Sequence, residues 1–244
     1  MHTAQQGLIA GGDLYMDFFD DSGNSTGFQL VGNAKKFALK VETETKENKL
    51  NGRETLGQTA DSYTRITAST VALSFNRYDP TILAAAFMGS AAAQTASAGP
   101  YTASITAIKD RWVSVGHRDL DTCVVKDSTD TTTYEEGSDY EVNTRLGMIR
   151  VINAELDGDV LHVSGNTAAR TGVKITGSTR PMVNVALRLD GKNFANGSPV
   201  QIEVYHAQLR SDTEFDFLGE DFPELTFTGT MLTPTGKLWP FEVV

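Results

Sequence analysis

The chain has 244 residues, a formal net charge of −10 and an isoelectric point near 4.8. Its length is enough to bury a core without disulfides or metals, and its single cysteine, Cys123, excludes an intramolecular disulfide framework. With 40% hydrophobic and 21% charged residues the chain is not disordered as a whole, and its acidity excludes a tight grip on a phosphate backbone. No apolar run reaches the length of a membrane-spanning helix. The start, Met1-His2-Thr3-Ala4, lacks the basic opening of a signal peptide. The expectation is a soluble protein that folds in a cytoplasm and has no membrane partner.

The dominant hydrophobic period is two, the mark of strands with one wet face and one face on a core. A first strand spans 14–19 and a second 28–31, separated by the turn Asp21-Ser22-Gly23-Asn24. Phe37, Leu39 and Val41 alternate with Ala38, Lys40 and Glu42, which predicts a strand over 33–42. Val71, Leu73 and Phe75 alternate with Ala72, Ser74 and Asn76 in a longer strand over 61–76. Between these two, residues 43–60 are highly charged and read as a loop long enough to be functional. Asp79 as N-cap, Pro80 at the first helical position and Gly89 as terminator predict one short helix. The small residues of 90–100 read as a flexible connector. Asp157-Gly158-Asp159 reads as a hairpin turn between strands at 149–156 and 160–163, and Asp190-Gly191-Lys192-Asn193 as the turn that closes a strand from Val183. Shorter strands surround Val173 and Ile175, Ile202 and Val204, and Leu225 and Phe227. Ten or more short strands at this spacing predict a mainly β fold, a β-sandwich or barrel-like core with one flanking helix.

No chemical motif emerges. Nucleotide-binding glycine loops, the hydrolase elbow and the zinc-protease helix motif are missing from the sequence. The histidines (His2, His117, His162, His206) are scattered singly, without the spacing zinc needs. Asp20-Asp21 with Asn24 lacks the ligand spacing of a calcium loop, and turn chemistry explains Asp157 and Asp159. Glu220-Asp221 with Asp216 is a weak cation candidate. Asn24-Ser25-Thr26 and Asn196-Gly197-Ser198 match the glycosylation pattern, which has no use without a secretory route. Paired carboxylates for glycoside hydrolysis would want aromatic sugar platforms, and Trp112 and Trp239 are the only tryptophans. Cys123 reads as a small buried strand residue. The expectation is a protein that is not an enzyme and has no catalytic residue, metal ligand or cofactor.

Three segments together resemble the major tail tube proteins of long-tailed, siphovirus-like bacteriophages. The first is the order strand, charged loop, long strand and Arg77-Tyr78-Asp79-Pro80 opening a helix that ends at Gly89. The second is Thr133-Tyr134-Glu135-Glu136-Gly137-Ser138-Asp139-Tyr140 with Gly147-Met148-Ile149 further on. The third is Val200-Gln201-Ile202-Glu203-Val204-Tyr205, then 215–219, Asp221-Phe222 and Leu225-Thr226-Phe227. The resemblance implies a single tail-tube domain over 1–244, with an insertion or elaboration at about 101–179; the additional immunoglobulin-like domain that some members carry is not expected after Val244. It implies hexameric rings stacked into a virion tail tube, assembled in the host cytoplasm. It also implies partners in the tail tip or distal tail, tail terminator and tape measure proteins, with DNA passing through the lumen without tight binding.

On that resemblance the 43–60 loop reaches a neighbouring ring, and its stacking residues are Glu44, Lys46, Glu47, Lys49, Arg53 and Glu54. Mixed charges there would set register more than affinity. Lys36, Ala38, Lys40, Ser62, Thr64, Thr70 and Ser74 form the polar face of the lumen and inter-subunit sheet, and negative charge in the lumen would let DNA slide. Open strand edges, an aggregation hazard in a monomer, would be satisfied by ring closure. The alternatives are a tube protein of a contractile tail or type VI secretion system, a capsid-decorating protein, and a carbohydrate-binding β-sandwich.

Overall fold

The structure, a computed structural model, describes residues 7–244; His2 and the chain start lie outside the described residues. The strands are β1 Ala10–Phe19, β2 Ser25–Leu30, β3 Asn33–Lys49, β4 Thr59–Arg77, β5 Ser90–Ala96, β6 Gly99–Thr106, β7 Trp112–Ser114 and β8 Val124–Asp127. They continue with β9 Tyr140–Asn143, β10 Met148–Val151, β11 Val160–Thr167, β12 Arg170–Thr176, β13 Val183–Asn193, β14 Pro199–Ser211, β15 Leu225–Met231 and β16 Phe241–Val243. Among the described residues one α-helix, α1, spans Pro80–Ala86, and a short 3-10 helix spans Ala154–Leu156. The fold is mainly β, as the alternation predicts. The chain divides into two compact units: residues up to 91 with those from 175 onward, and residues 92–174 inserted between them.

The larger unit is one antiparallel sheet in the order β2-β1-β13-β14-β15-β4-β3, with β16 added beside β14. Only Val31 and Gly32 join β2 to β3, which are its two edges. At roughly 4.8 Å per strand a flat sheet would hold those edges about 29 Å apart. The two-residue link reaches about 11 Å, so the sheet must curl into a barrel-like form. Gly32 makes this crossover with φ +23°, and a Cβ there would stand 1.8 Å from the Arg77 carbonyl oxygen. The alternating apolar residues point into the barrel: Leu14 and Met16, Val71, Leu73 and Phe75, and Val183, Val185 and Leu187 are all buried. A bulge between the pairs Val185↔Ala207 and Leu187↔Val204 lets both Val204 and Ala207 face the core.

Helix α1 starts as its sequence predicts. The Asp79 side chain accepts the Ile82 N–H at 2.9 Å, and Ile82, Ala85 and Ala86 join the barrel core. Its end differs from the expectation: Met88, not Gly89, takes the left-handed conformation, with φ 50°. Glycine is needed at 89 for space, since a Cβ there would lie 2.0 Å from the Thr176 carbonyl oxygen.

The inserted unit is built from two three-stranded antiparallel sheets, β7-β10-β9 and β6-β11-β8. They enclose their own core, which includes Tyr101, Ile105, Val125, Ile149, Leu161 and Val163. Three local expectations fail. Residues 90–96 form β5, paired with β12, and are not a flexible connector. β10 and β11 lie in different sheets, so Asp157-Gly158-Asp159 joins sheets and is not a hairpin turn. β13 runs on through Asp190–Asn193, because Gly191 pairs with Gly12 of β1 and continues the ladder. Cys123 is half-buried just before β8, and burial raises its thiol pKa.

Candidate functional site: the β3–β4 hairpin

Residues 43–60 are not an irregular loop. Thr43–Lys49 continue β3 and Thr59 opens β4, so only 50–58 remain as the tip. Period-two alternation fades in this stretch because both faces are exposed, and strands that bury neither face carry no hydrophobic signal. The tip is closed by Leu50 N–H to Gln58 O at 2.8 Å and Gly57 N–H to Leu50 O at 3.0 Å. Four of the expected stacking residues, Glu44, Lys46, Glu47 and Lys49, therefore lie on a regular strand, and only Arg53 and Glu54 lie in the tip.

The hairpin outruns its sheet. β15 pairs with β4 only from Thr70 to Phe75, and β3 is an outer strand. From about Glu42 outward both strands present unpaired N–H and C=O groups along their outer edges. Such edges are templates for pairing with another chain.

A bulge decides which residues share a face. Glu42 pairs with Ala68 and Thr43 with Ile66, leaving Thr67 unpartnered. On one face Lys36, Ala38 and Lys40 lie opposite Ser74, Ala72 and Thr70, and beyond the bulge Glu44 and Lys46 lie opposite Arg65 and Tyr63. Ser62 and Thr64 are turned to the other face, opposite Glu47 and Thr45. The single polar face expected to hold Ser62, Thr64, Thr70 and Ser74 together is thus split in two. Burial corrects it further: Ser74 is only 5% exposed and Thr70 is half-buried, while Lys36, Ala38 and Lys40 are open to water.

The two faces differ chemically. The first carries Lys36, Lys40, Lys46 and Arg65 against Glu42, Glu44 and Asp61, with Lys40–Glu42 at 2.9 Å and Arg65–Glu44 at 2.8 Å. It has no net negative field. The second is a hydroxyl face, where the Thr45 and Thr64 hydroxyls are 2.8 Å apart, and its charge is Glu47, 3.7 Å from the Lys49 ammonium. Exposed pairs of this kind contribute little stability; their use is in register. Sequence reasoning missed two exposed apolar residues here, Ile66, 68% exposed on the hydroxyl face, and Tyr63 on the charged one; Val41, expected to face a core with Phe37 and Leu39, is instead exposed on the hydroxyl face. The signal was present in Ile66, which breaks the Val71-Leu73-Phe75 phase.

Elsewhere, a groove of about 530 Å³ on the barrel's outer face is lined by Tyr15, Phe28, Arg188, Glu203 and Glu242. Arg188 is paired with Glu203 at 2.5 Å and lies over the Phe28 ring, so its polar groups are already engaged with one another. In the inserted unit His162 Nδ1 is 3.1 Å from Asp130, on an exposed surface. His206 packs against Phe19 beside Asn184, and burial lowers its pKa. Among the described residues no group of three or more His, Cys, Asp or Glu is placed to hold a metal, and no helix is long and apolar enough to cross a membrane.

Fold and site together define a mainly β protein whose two longest strands leave a curled sheet as an exposed hairpin with open edges. Residues 8–238 match the family described as "Protein of unknown function UCP028589", and the chain belongs to that family. No curated protein matches the chain.

Proposed function

We propose that this chain is the structural subunit of a tail tube in a long-tailed bacteriophage, forming hexameric rings that stack into a hollow conduit for DNA. The observation that carries the reading is the β3–β4 hairpin: a 17-residue strand and a 19-residue strand that run beyond their sheet and expose backbone donors and acceptors on both outer edges. Ring closure would pair those edges with the next copy, which is how a self-assembling subunit removes an aggregation hazard. The resemblance of the order of segments to that of tail tube proteins supports the same reading.

The hairpin's two faces suit the two demands of such a tube. The charged face, with alternating Lys, Arg and Glu, would give register against an identical neighbour. The hydroxyl face, which bears Thr43, Thr45, Ser62 and Thr64, offers no row of cations to hold passing phosphates, so it is the better lumen lining.

Negative-stain electron microscopy of the full chain at rising concentration tests the proposal, beside a variant in which Glu44 to Arg65 are replaced by an Asn-Gly turn. Hollow rings and stacked tubes are expected for the first and loss of both for the second. A closed trimer that never polymerises, or polymers unaffected by loss of the hairpin, would overturn it. The trimer would favour a capsid-decorating protein.

A further inference from the structure

The chain contains two Asn-Gly pairs, Asn51-Gly52 and Asn196-Gly197. Both asparagines and both glycines are exposed, so access to solvent does not separate them. An asparagine side chain before glycine is open to attack by the main chain, because glycine has no Cβ to crowd the ring that forms. The attack needs two free groups: the amide nitrogen of the glycine and the carboxamide of the asparagine. Both are free at one pair and both are tied down at the other.

At Asn196-Gly197 the Gly197 N–H donates to the Asn193 carbonyl at 2.7 Å, and the Asn196 Oδ1 accepts the Ser198 N–H at 2.9 Å. The acceptor residue is itself fixed. Asn193 is buried at the end of β13, and its N–H donates to the Ser198 carbonyl at 2.8 Å. Its Oδ1 accepts the Ile9 N–H at 3.2 Å and the Ala195 N–H at 3.0 Å. Reaction there first requires this turn to open, and the free energy of opening adds to the barrier. Asn51-Gly52 lies in the tip of the β3–β4 hairpin. Among the described residues neither the Gly52 N–H nor the Asn51 carboxamide has a hydrogen-bond partner. The chain on either side is pinned: the Gly57 N–H donates to the Leu50 carbonyl at 3.0 Å, and the Thr55 N–H to the Gly52 carbonyl at 3.1 Å.

We propose that Asn51 is a site of spontaneous covalent modification, deamidation through a succinimide, and that the fold protects Asn196 from the same reaction. The Gly52 amide nitrogen gives up its proton to solvent base and attacks Asn51 Cγ. A Cγ–N bond forms, the Cγ–Nδ2 bond breaks, and ammonia leaves with a proton taken from solvent. Water then opens the cyclic imide at either of its carbonyls. One opening gives aspartate. The other gives isoaspartate, in which the main chain runs through the former side chain and is longer by a methylene. The only reactant besides the chain is water. Arg53 and Glu54 are the only charged residues of the 50–58 tip, so either product turns a neutral tip anionic. The longer isoaspartate backbone falls between the pinned carbonyls of Leu50 and Gly52 and strains the closure of the tip. The inference holds whether or not the chain forms tubes.

Peptide mapping by mass spectrometry tests it on the full chain, held folded in warm, mildly alkaline buffer and sampled over time. The peptide holding Asn51 should gain the mass difference between an amide and an acid and separate into two products, aspartate and isoaspartate. It should do so at least about tenfold faster than the peptide holding Asn196. In chain unfolded by guanidinium the two sites should react at rates within about threefold of each other, which assigns the difference to the fold. Gly52→Ala, at an exposed tip position, should leave the circular dichroism spectrum unchanged and slow the reaction at Asn51 about tenfold, because the added methyl crowds the ring. Equal rates at the two sites in the folded chain, or faster reaction at Asn196, would overturn the proposal. So would an Asn51 that reacts in guanidinium but not in the folded chain, or a Gly52→Ala chain that reacts as fast as the wild type.

Discussion

Thr64 and Thr70 lie six residues apart on β4 yet face opposite sides of the sheet, because Thr67 stands unpartnered between the pairs Thr43↔Ile66 and Glu42↔Ala68. In an unbroken strand an even spacing keeps two residues on one face. Cysteines at Thr45 and Thr64 should therefore cross-link on mild oxidation in a Cys123→Ser background, whereas cysteines at Thr45 and Arg65 should not. Free-thiol counting and mass spectrometry distinguish the two pairs, and the reverse outcome would place the bulge elsewhere.

Ile66 lies exposed on the hydroxyl face of the hairpin, so its part in monomer stability is small. Ile66→Asp should leave the melting temperature within about 2 °C of the wild type, as surface substitutions usually do. Self-association, followed by light scattering, should be little changed, because the proposed tube turns this face to its lumen, and a loss of about tenfold would instead place Ile66 in a contact between copies. A large fall in melting temperature would show that Ile66 is buried in the monomer.

Gly32 closes the link between the barrel's two edges with a left-handed φ and no room for a Cβ. Gly32→Ala should destabilise the chain by about 2–4 kcal/mol through strain and displacement of the Arg77 carbonyl. Urea unfolding followed by tryptophan fluorescence and circular dichroism measures this. A cost below about 0.5 kcal/mol would mean that the crossover relaxes freely.

The inserted unit has its own core, centred on Ile149, Leu161 and Val125. Residues 92–174 expressed alone should fold, giving a dispersed proton NMR spectrum. Ile149→Ala, at a site with no solvent exposure, should cost that unit about 2–5 kcal/mol. A collapsed spectrum for the isolated unit would show that its core is incomplete without the rest of the chain.

Asp127 organises the loop that follows β8. Burial acts to raise its pKa, but hydrogen bonds from the Thr131 hydroxyl, the Thr132 and Thr131 amides and the Thr129 hydroxyl outweigh this and hold it well below the usual carboxylate range. A carboxylate with a depressed folded pKa contributes stability that is fully present above its unfolded pKa, about 3.9. That contribution is lost as the pH falls through the folded value. The Thr131 and Thr132 amide resonances should thus hold their positions down to about pH 3, below the midpoint of an ordinary aspartate. Asp127→Asn should shift them at neutral pH, and a midpoint near 4 would show that the loop is not built around the charged form.

The mainly β class, the inward residues of β4 and β13, and the helix start at Asp79 were legible in the sequence. Each depends on local chemistry: alternation where one face is buried, or an N-cap followed by proline. The charged hairpin was legible as a place of interest but not as strand, since its faces are both wet and its residues favour no phase. Pairing partners were not legible either. The meeting of Gly191 with Gly12, and of Gly89 with Thr176, brings together residues far apart in the chain, and each glycine looks locally like a turn or a cap. The sequence by itself therefore determined which residues could be buried and where the chain could turn. Tertiary structure alone decided which edges were left open, which side of the hairpin each residue faces, and which of the two Asn-Gly pairs has its amide bound. One unpaired residue, Thr67, reverses a strand's faces, and strand order, which no local pattern encodes, fixes which edges find a partner.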